Sequence, residues 1–260
     1  MIRIAHISDT HITGESAYKG YAYDLIANEV NRLNFDFVVH TGDVTNNGTA
    51  EEAERAAAIL RGLKPRLAIV PGNHDRRDTL AAAFGERICP RDAHGFIQHD
   101  IRLPGLRLLG LDTTAPGVPG GVFDAPRAAW LEARLQEAPD TPTVLFMHHP
   151  PAHFGVIETE LDGFQGVEHL AEIVRAHPQV TRILAGHIHL ASLTTWQGIA
   201  VSTAPSTGMR LYLDLTLTRS AYILDEPAYH LHFWQEGQGL VTHTVRVLPE
   251  ETLHPFAPEP

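Results

Sequence analysis

A single cysteine, Cys89, is all the sequence holds, which excludes an intramolecular disulfide and a thiolate metal cluster and fits a reducing compartment. Positive charge is also scarce. Twenty Lys and Arg stand against 31 Asp and Glu, for a formal net charge of -11, and no basic stripe gathers anywhere along the chain. No nucleic-acid polymer and no anionic membrane is therefore expected as a partner, because both are met by clustered cations. The balance does not disfavour a small anionic substrate, since bound metal ions reverse the sign locally. Long apolar runs are missing too: no stretch of about 18 apolar residues suggests a membrane span, and no signal-peptide pattern precedes the first strand-like run. A cytoplasmic protein is expected. There is no internal repeat, low-complexity block or convincing linker. At 43% hydrophobic and 20% charged, the chain can bury a large core in one domain, with at most a small appendage.

What the chain has in excess is histidine, 17 in all. The run Ile2 to His11 reads as a strand that delivers Asp9 and His11. Phe37 to Val39 leads into Thr41-Gly42-Asp43, and Arg66 to Val70 into Gly72-Asn73-His74-Asp75. Thr143 to Met147 presents His148-His149-Pro150-Pro151, and Val180 to Ala185 precedes Gly186-His187-Ile188-His189. Between these runs lie helical patterns: Leu25, Ile26, Val30 and Leu33 at helical spacing after a polar loop from Thr13 to Gly20; Ala50 to Gly62, opened by Thr49 and Glu52 as a capping box; a helix capped by Asp124; and Val167 to His177. Alternating strands and helices imply parallel strands whose ligands gather beyond the carboxyl ends, where all these clusters lie.

From Leu193 onward the texture becomes strand-like, with runs at Ile199 to Ser202, Met209 to Leu217, Ala221 to Leu224, Tyr229 to Trp234 and Leu240 to Val247. The alternation of Tyr229, Leu231 and Phe233 against His230, His232 and Trp234 predicts a sheet with two unlike faces. Residues 208–248 are read as a C-terminal β segment that packs on the same domain or forms a contact between copies. Residues 249–260 are read as a loose tail.

Asp9, Asp43 and Asn73 supply oxygens and His11, His148, His187 and His189 supply imidazoles. Seven side chains are too many for one ion and suit two, and the mixed donors favour Fe, Mn, Zn or Co over Mg or Ca. Taken singly, each residue could equally cap a helix, form a turn or bond within the core.

The ordered set Asp-x-His, Gly-Asp, Gly-Asn-His-Asp, His-His-Pro-Pro and Gly-His-x-His resembles the calcineurin-like metallophosphoesterases. Ala5 to His11, Pro71 to Asp75 and His148 to Pro151 are most similar to bacterial class III cyclic-nucleotide phosphodiesterases and glycerophosphodiesterases. The resemblance, over about Ile2 to Thr207, implies an α/β fold: a four-layer αββα sandwich of two mixed sheets flanked by helices, here with the C-terminal β-rich extension. It makes residues 1–207 a catalytic domain. It implies that Asp9, His11 and His189 hold one divalent ion, that Asn73, His148 and His187 hold the other, and that Asp43 bridges them. A hydroxide held by the ions would attack a small phosphodiester, with His74 meeting the phosphate or leaving oxygen and Asp75 orienting His74. Two divalent ions, two carboxylates and one hydroxide leave about +1, suited to one phosphodiester anion. A phosphomonoesterase or protein phosphatase is the alternative enzyme, and a non-catalytic interaction module the alternative class.

Other residues read differently. His149, beside His148 on a strand end, points away from the ions. His6 and His40 are packed core histidines. Asn46 and Asn47 form a turn that could also bring Asn46 to the site. Ser202 to Thr207 is a loop that could line the pocket. His230, His232 and His243 are expected at solvent or at a contact between copies. Arg76 and Arg77 read equally as anion-steering residues and as a solvated helix start. The loop carrying His153 and Phe154, and that from Thr13 to Tyr23, are expected to help choose the substrate.

Overall fold

The computed structural model describes residues 1–14 and 17–248. The first half runs β1 (Ile2–Ile7), α1 (Ala17–Arg32), β2 (Phe37–His40), α2 (Ala50–Leu60), β3 (Arg66–Ile69), α3 (Arg77–Phe84), β4 (His99–Leu103), β5 (Leu106–Leu111), β6 (Gly121–Val122) and α4 (Ala125–Gln136). It continues with β7 (Thr143–Met147), α5 (Ile157–Glu160), β8 (Phe164–Gln165), α6 (Val167–Ala176), β9 (Val180–Ala185), β10 (Ser192–Trp196), β11 (Ile199–Thr203), β12 (Met209–Leu211), β13 (Tyr222–Leu224), β14 (Ala228–Gln235) and β15 (Gly239–Arg246).

Two mixed sheets form the centre, in the orders β15-β14-β1-β2-β3 and β10-β11-β9-β7-β5-β4. Strands β1, β2 and β3 are parallel, as are β5, β7, β9 and β11. Alternate residues of each strand face opposite ways, so each sheet feeds two cores. Ala5, Ile7, Val38 and Ile69 pack against Ile26 and Val30 of α1, Leu60 of α2 and Leu80 of α3. Ile4, Val39 and Val70 of the first sheet meet Leu108, Phe146 and Leu184 of the second. The far face of the second sheet, Leu109, Leu145 and Ile183, is covered by Leu131 of α4 and Leu170 of α6. These three apolar layers separate four structural ones, the expected αββα sandwich.

Local chemistry sets the helix starts. Thr49 Oγ1 accepts from the Glu52 amide at 3.2 Å while the Glu52 carboxylate accepts from the Thr49 amide, the reciprocal pair expected for α2. Asp124 accepts from the Arg127 amide and Pro126 fills the first turn of α4.

Several expectations need correction. The loop expected from Thr13 to Gly20 is shorter, because α1 already begins at Ala17, and most of the expected substrate loop to Tyr23 is therefore helical. Gly20 does not break it, since one helical glycine costs only about 1 kcal/mol. Glu15 and Ser16 of that loop, and the expected loose tail from Pro249 to Pro260, lie outside the described residues. The strand expected from Met209 to Leu217 stops at Leu211, because the Asp214 carboxylate binds the Thr216 and Thr218 amides and hydroxyls in a local turn. His230 and His232 are buried rather than at solvent: β14 pairs antiparallel with β1 inside the first sheet and turns this face toward the second. His243, one strand further out on β15, is exposed and stacks on Phe233. Among the described residues no helix is long and apolar enough to cross a membrane.

Candidate metal centre

Strands β1, β2, β3, β7 and β9 end at the same edge of the sandwich, and the loops that leave them are bonded to one another. The Asp9 amide donates to Gly42 O (3.0 Å), the His11 amide to Asp43 O (2.8 Å), the His74 amide to Asp43 Oδ1 (2.9 Å) and the Gly186 amide to His148 O (3.0 Å). The His187 amide donates to both Asp9 oxygens at 3.1 Å. Such close approach needs unusual backbone. Asp9, His11, Asp43, His187 and His189 all take positive φ, between 44° and 73°, which side-chain-bearing residues adopt rarely and mainly at functional sites.

Asp9, His11, Asp43 and His189 bring ligand atoms within 4.8 Å of one another, and so do His148, His149 and His187. Asp43 Oδ2 stands between the groups, 3.5 Å from His11 Nε2 and 3.4 Å from His148 Nε2. His11 Nε2 is 3.1 Å from His189 Nε2, His189 Nε2 is 3.5 Å from Asp9 Oδ1, and His148 Nε2 is 3.0 Å from Asn73 Oδ1. Donors that share an ion at about 2.0–2.2 Å are themselves roughly 3.0–3.5 Å apart, so these spacings and this donor set fit transition-metal ions.

The electrostatics point the same way. Burial pushes the Asp9 carboxyl up to about 7 and the His187 and His189 imidazoles down to about 3. Burial alone would also depress His148 and raise Asp43. Their mutual attraction wins, lifting His148 to about 9 and holding Asp43 well below the usual carboxylate range. A buried set of acceptors with so little cationic compensation is suited to bound cations.

The candidate ligands have fixed supports. His148 Nδ1–H donates to Thr41 O at 2.7 Å, which turns Nε2 toward Asp43, and His187 Nε2 faces Glu158 O at 3.3 Å. The His149 ring lies beside those of His148 and His187, but both its nitrogens are taken, by Thr113 Oγ1 (2.8 Å) and Pro119 O (3.0 Å). His40 bonds Thr10 Oγ1 and the Gly42 amide. From the Ser202 to Thr207 loop, Ser206 Oγ donates to Asp9 O at 2.7 Å, and Thr207 meets the buried Tyr23 hydroxyl, which also bonds Thr10. Tyr23 lies in a helix, with no motif to mark it.

His74 is exposed at the mouth. Its Nδ1–H donates to Asn46 O at 2.8 Å and its ring stands edge-on to His11 at 4.7 Å between centroids. The Asp75 carboxylate is engaged elsewhere than on the His74 ring. It accepts from the Gly72, Val44 and Thr45 amides and the Thr45 hydroxyl, locking the loops after β2 and β3 together. Arg77 is committed to Asp112 (2.6 and 2.9 Å) and Thr114, whereas Arg76 is exposed. Arg76, His74, Asn73, Asn46 and Asn47 line a groove of about 700 Å³. His153 is exposed and paired with Glu160 at 2.7 Å, and Phe154 packs partly buried against the second core.

Comparison with known proteins agrees with this geometry. The calcineurin-like phosphoesterase family model matches residues 2–191. A probable glycerophosphodiester phosphodiesterase, GpdQ, of Arcobacter nitrofigilis is 34% identical over 263 residues, covering 97% of this chain and 96% of its own. The 3',5'-cyclic adenosine monophosphate phosphodiesterase CpdA of Escherichia coli is 27% identical over 214 residues, 79% of this chain and 76% of its own. A dimetal phosphatase from Danio rerio has the same fold, with a TM-score of 0.71 at 16% identity over 95% of this chain and 99% of that one. Because the family match spans most of the chain and all five loops that meet at Asp43, the chain belongs to the calcineurin-like phosphoesterase family.

Proposed function

We propose that the chain is a binuclear metal-dependent phosphodiesterase acting on small diesters, with 3',5'-cyclic nucleotides and glycerophosphodiesters as the candidate substrates. The observation that carries the reading is the position of Asp43 Oδ2 between His11 and His148, one from each donor group. Asp9, His11 and His189 would hold one ion, Asn73, His148 and His187 the other, and Asp43 both; Fe, Mn, Zn and Co all suit these donors. When bound, two such ions supply Lewis-acid charge and a nucleophilic water at neutral pH. Relatives named for glycerophosphodiester and cyclic-nucleotide hydrolysis support the substrate class.

The chain's own contribution lies in His74. Its Nδ1–H is held by Asn46 O, so the neutral ring offers Nε2 as an acceptor and the protonated ring offers an N–H from Nε2. At the mouth of the groove it can donate to the phosphate or to the leaving oxygen, whose high proton affinity makes such donation useful. Asp75 acts at a distance, by holding the loop that carries His74. His74→Ala is expected to lower kcat on bis(p-nitrophenyl) phosphate by about 10²-fold while both ions stay bound. Unchanged turnover would remove His74 from the mechanism. Faster hydrolysis of p-nitrophenyl phosphate than of the diester would favour the monoesterase reading instead.

A cytoplasmic location is part of the proposal, supported by the single buried cysteine. So is association between copies through the C-terminal segment, where Tyr212, Leu213, Leu215, Tyr222 and Leu224 are exposed. A monomeric mass in light scattering would count against it.

A further inference from the structure

Outside the proposed ligand set, the described residues hold one more buried histidine group, His6, His230 and His232, between the two sheets. A cation is a poor occupant there. The group has no carboxylate, and the Arg182 guanidinium repels positive charge at both His230 and His232.

Hydrogen bonding gives the group a different meaning, because the direction of every bond is fixed from one end. The Thr41 hydroxyl donates to Ser8 Oγ at 2.7 Å, so the Ser8 hydroxyl keeps its own proton for the bond it makes to the Asp9 carboxylate. Thr41 has then used its one proton, and its oxygen accepts from His6 Nε2–H at 2.9 Å. Burial keeps His6 and His232 neutral. His6 Nδ1 is thus an acceptor, and the proton it accepts belongs to His232 Nε2, 3.2 Å away. His232 Nδ1 in turn accepts from Thr242 Oγ1 at 2.8 Å. All five bonds point toward Asp9.

We propose that the chain Thr242, His232, His6, Thr41 and Ser8 positions the Asp9 carboxylate for its ion, which makes the C-terminal strands β14 and β15 part of the metal centre. These strands lie beyond residue 191, where the family match ends. Thr41 serves both halves, since its carbonyl also holds His148. The inference rests on reading Asp9 as a ligand; the test separates the two.

Competition against a metal-binding dye is run on the full-length protein with Mn²⁺, for the wild type and for His232→Phe, His232→Gln and Thr242→Val. His232→Phe is expected to weaken one of two ions by about 10- to 100-fold and the other much less. His232→Gln, which can still donate and accept, recovers part of the loss, a rescue that a purely space-filling role would not require. Thr242→Val, on a half-buried position, weakens the same ion if His232→Phe fails to fold. Nitrogen-15 spectra of the metal-loaded wild type are expected to show His6 and His232 both protonated on Nε2. Two ions bound with unchanged affinity in the folded variants, or His6 protonated on Nδ1, would overturn the inference and leave the centre standing. A third ion lost in His230→Ala would overturn it in favour of a cation among the histidines. A wild type that binds no ion would overturn the reading of Asp9 itself.

Discussion

Asp43→Asn is expected to lower kcat/KM on a phosphodiester by about 10³-fold or more and to leave at most one ion tightly bound. The substitution keeps the size of the side chain and an oxygen to accept the His74 amide, now 2.9 Å from Oδ1. What it removes is the charge at Oδ2, the atom that faces His11 on one side and His148 on the other. Both halves of the centre lose their shared anion at once, and preorganised charge of this kind is the largest single contribution at many active sites. Stability falls in the metal-free protein as well. There the neighbouring His148 holds the Asp43 carboxyl well below its usual range, so its ionised form stabilises the fold, and a neutral amide leaves the lifted His148 imidazolium without its partner. The melting temperature without metal should therefore fall. The stabilisation the wild type gains from metal, about 2.7 kcal/mol per site at a hundredfold excess over Kd, should shrink or vanish. Calorimetry with and without chelator, beside a rate assay, reads all three. Wild-type turnover in Asp43→Asn would remove the bridge from the account.

Gly72→Ala is expected to be nearly as damaging, although it adds one methyl group and touches no charge. A Cβ at residue 72 would lie 2.2 Å from Asp43 Oδ1 and 2.3 Å from the Asp43 amide nitrogen. The second of these is backbone, which no rotamer change can clear. The loops after β2 and β3 must part, and Asp75, which binds the Gly72, Val44 and Thr45 amides, ties any displacement of one loop to the other. Overpacking at such a point costs about 1–3 kcal/mol, or several degrees in Tm. Displacement of Asp43 should lower metal affinity by more than that strain alone would suggest. A metal titration of Gly72→Ala with wild-type affinities would show that the loops are looser than their contacts imply. Gly186 is the equivalent point on the other side, where a Cβ would fall 2.1 Å from Ser8 Oγ and 2.8 Å from Asp9 Oδ2.

The sequence made the framework legible where period and motif coincide. Buried parallel strands such as Phe37–His40 and Thr143–Met147 read as short, nearly continuous apolar runs, and each run ends on a polar cluster. The second sheet's edge strands, His99–Leu103 and Ser192–Trp196, carry no such run because their residues are half exposed and polar. The candidate ligands were legible as residues in order. What no sequence pattern shows is that five of them sit in left-handed backbone, or that Asp43 Oδ2 lies between His11 and His148. Asp75 illustrates the limit: the family resemblance implies that it orients His74, whereas its oxygens accept from amides and the Thr45 hydroxyl across the loops. His232 illustrates it again, because an alternating strand near the C-terminus gives no sign that it will pair with β1 and reach His6.

The measurement that bears most directly on the central claim is an anomalous difference map from crystals of the Mn²⁺-loaded protein. The account predicts two peaks per chain, about 3.5–4 Å apart. One should be bounded by Asp9, His11 and His189 and the other by Asn73, His148 and His187, with Asp43 touching both. A single peak, or peaks that leave Asp43 without a metal contact, would contradict it.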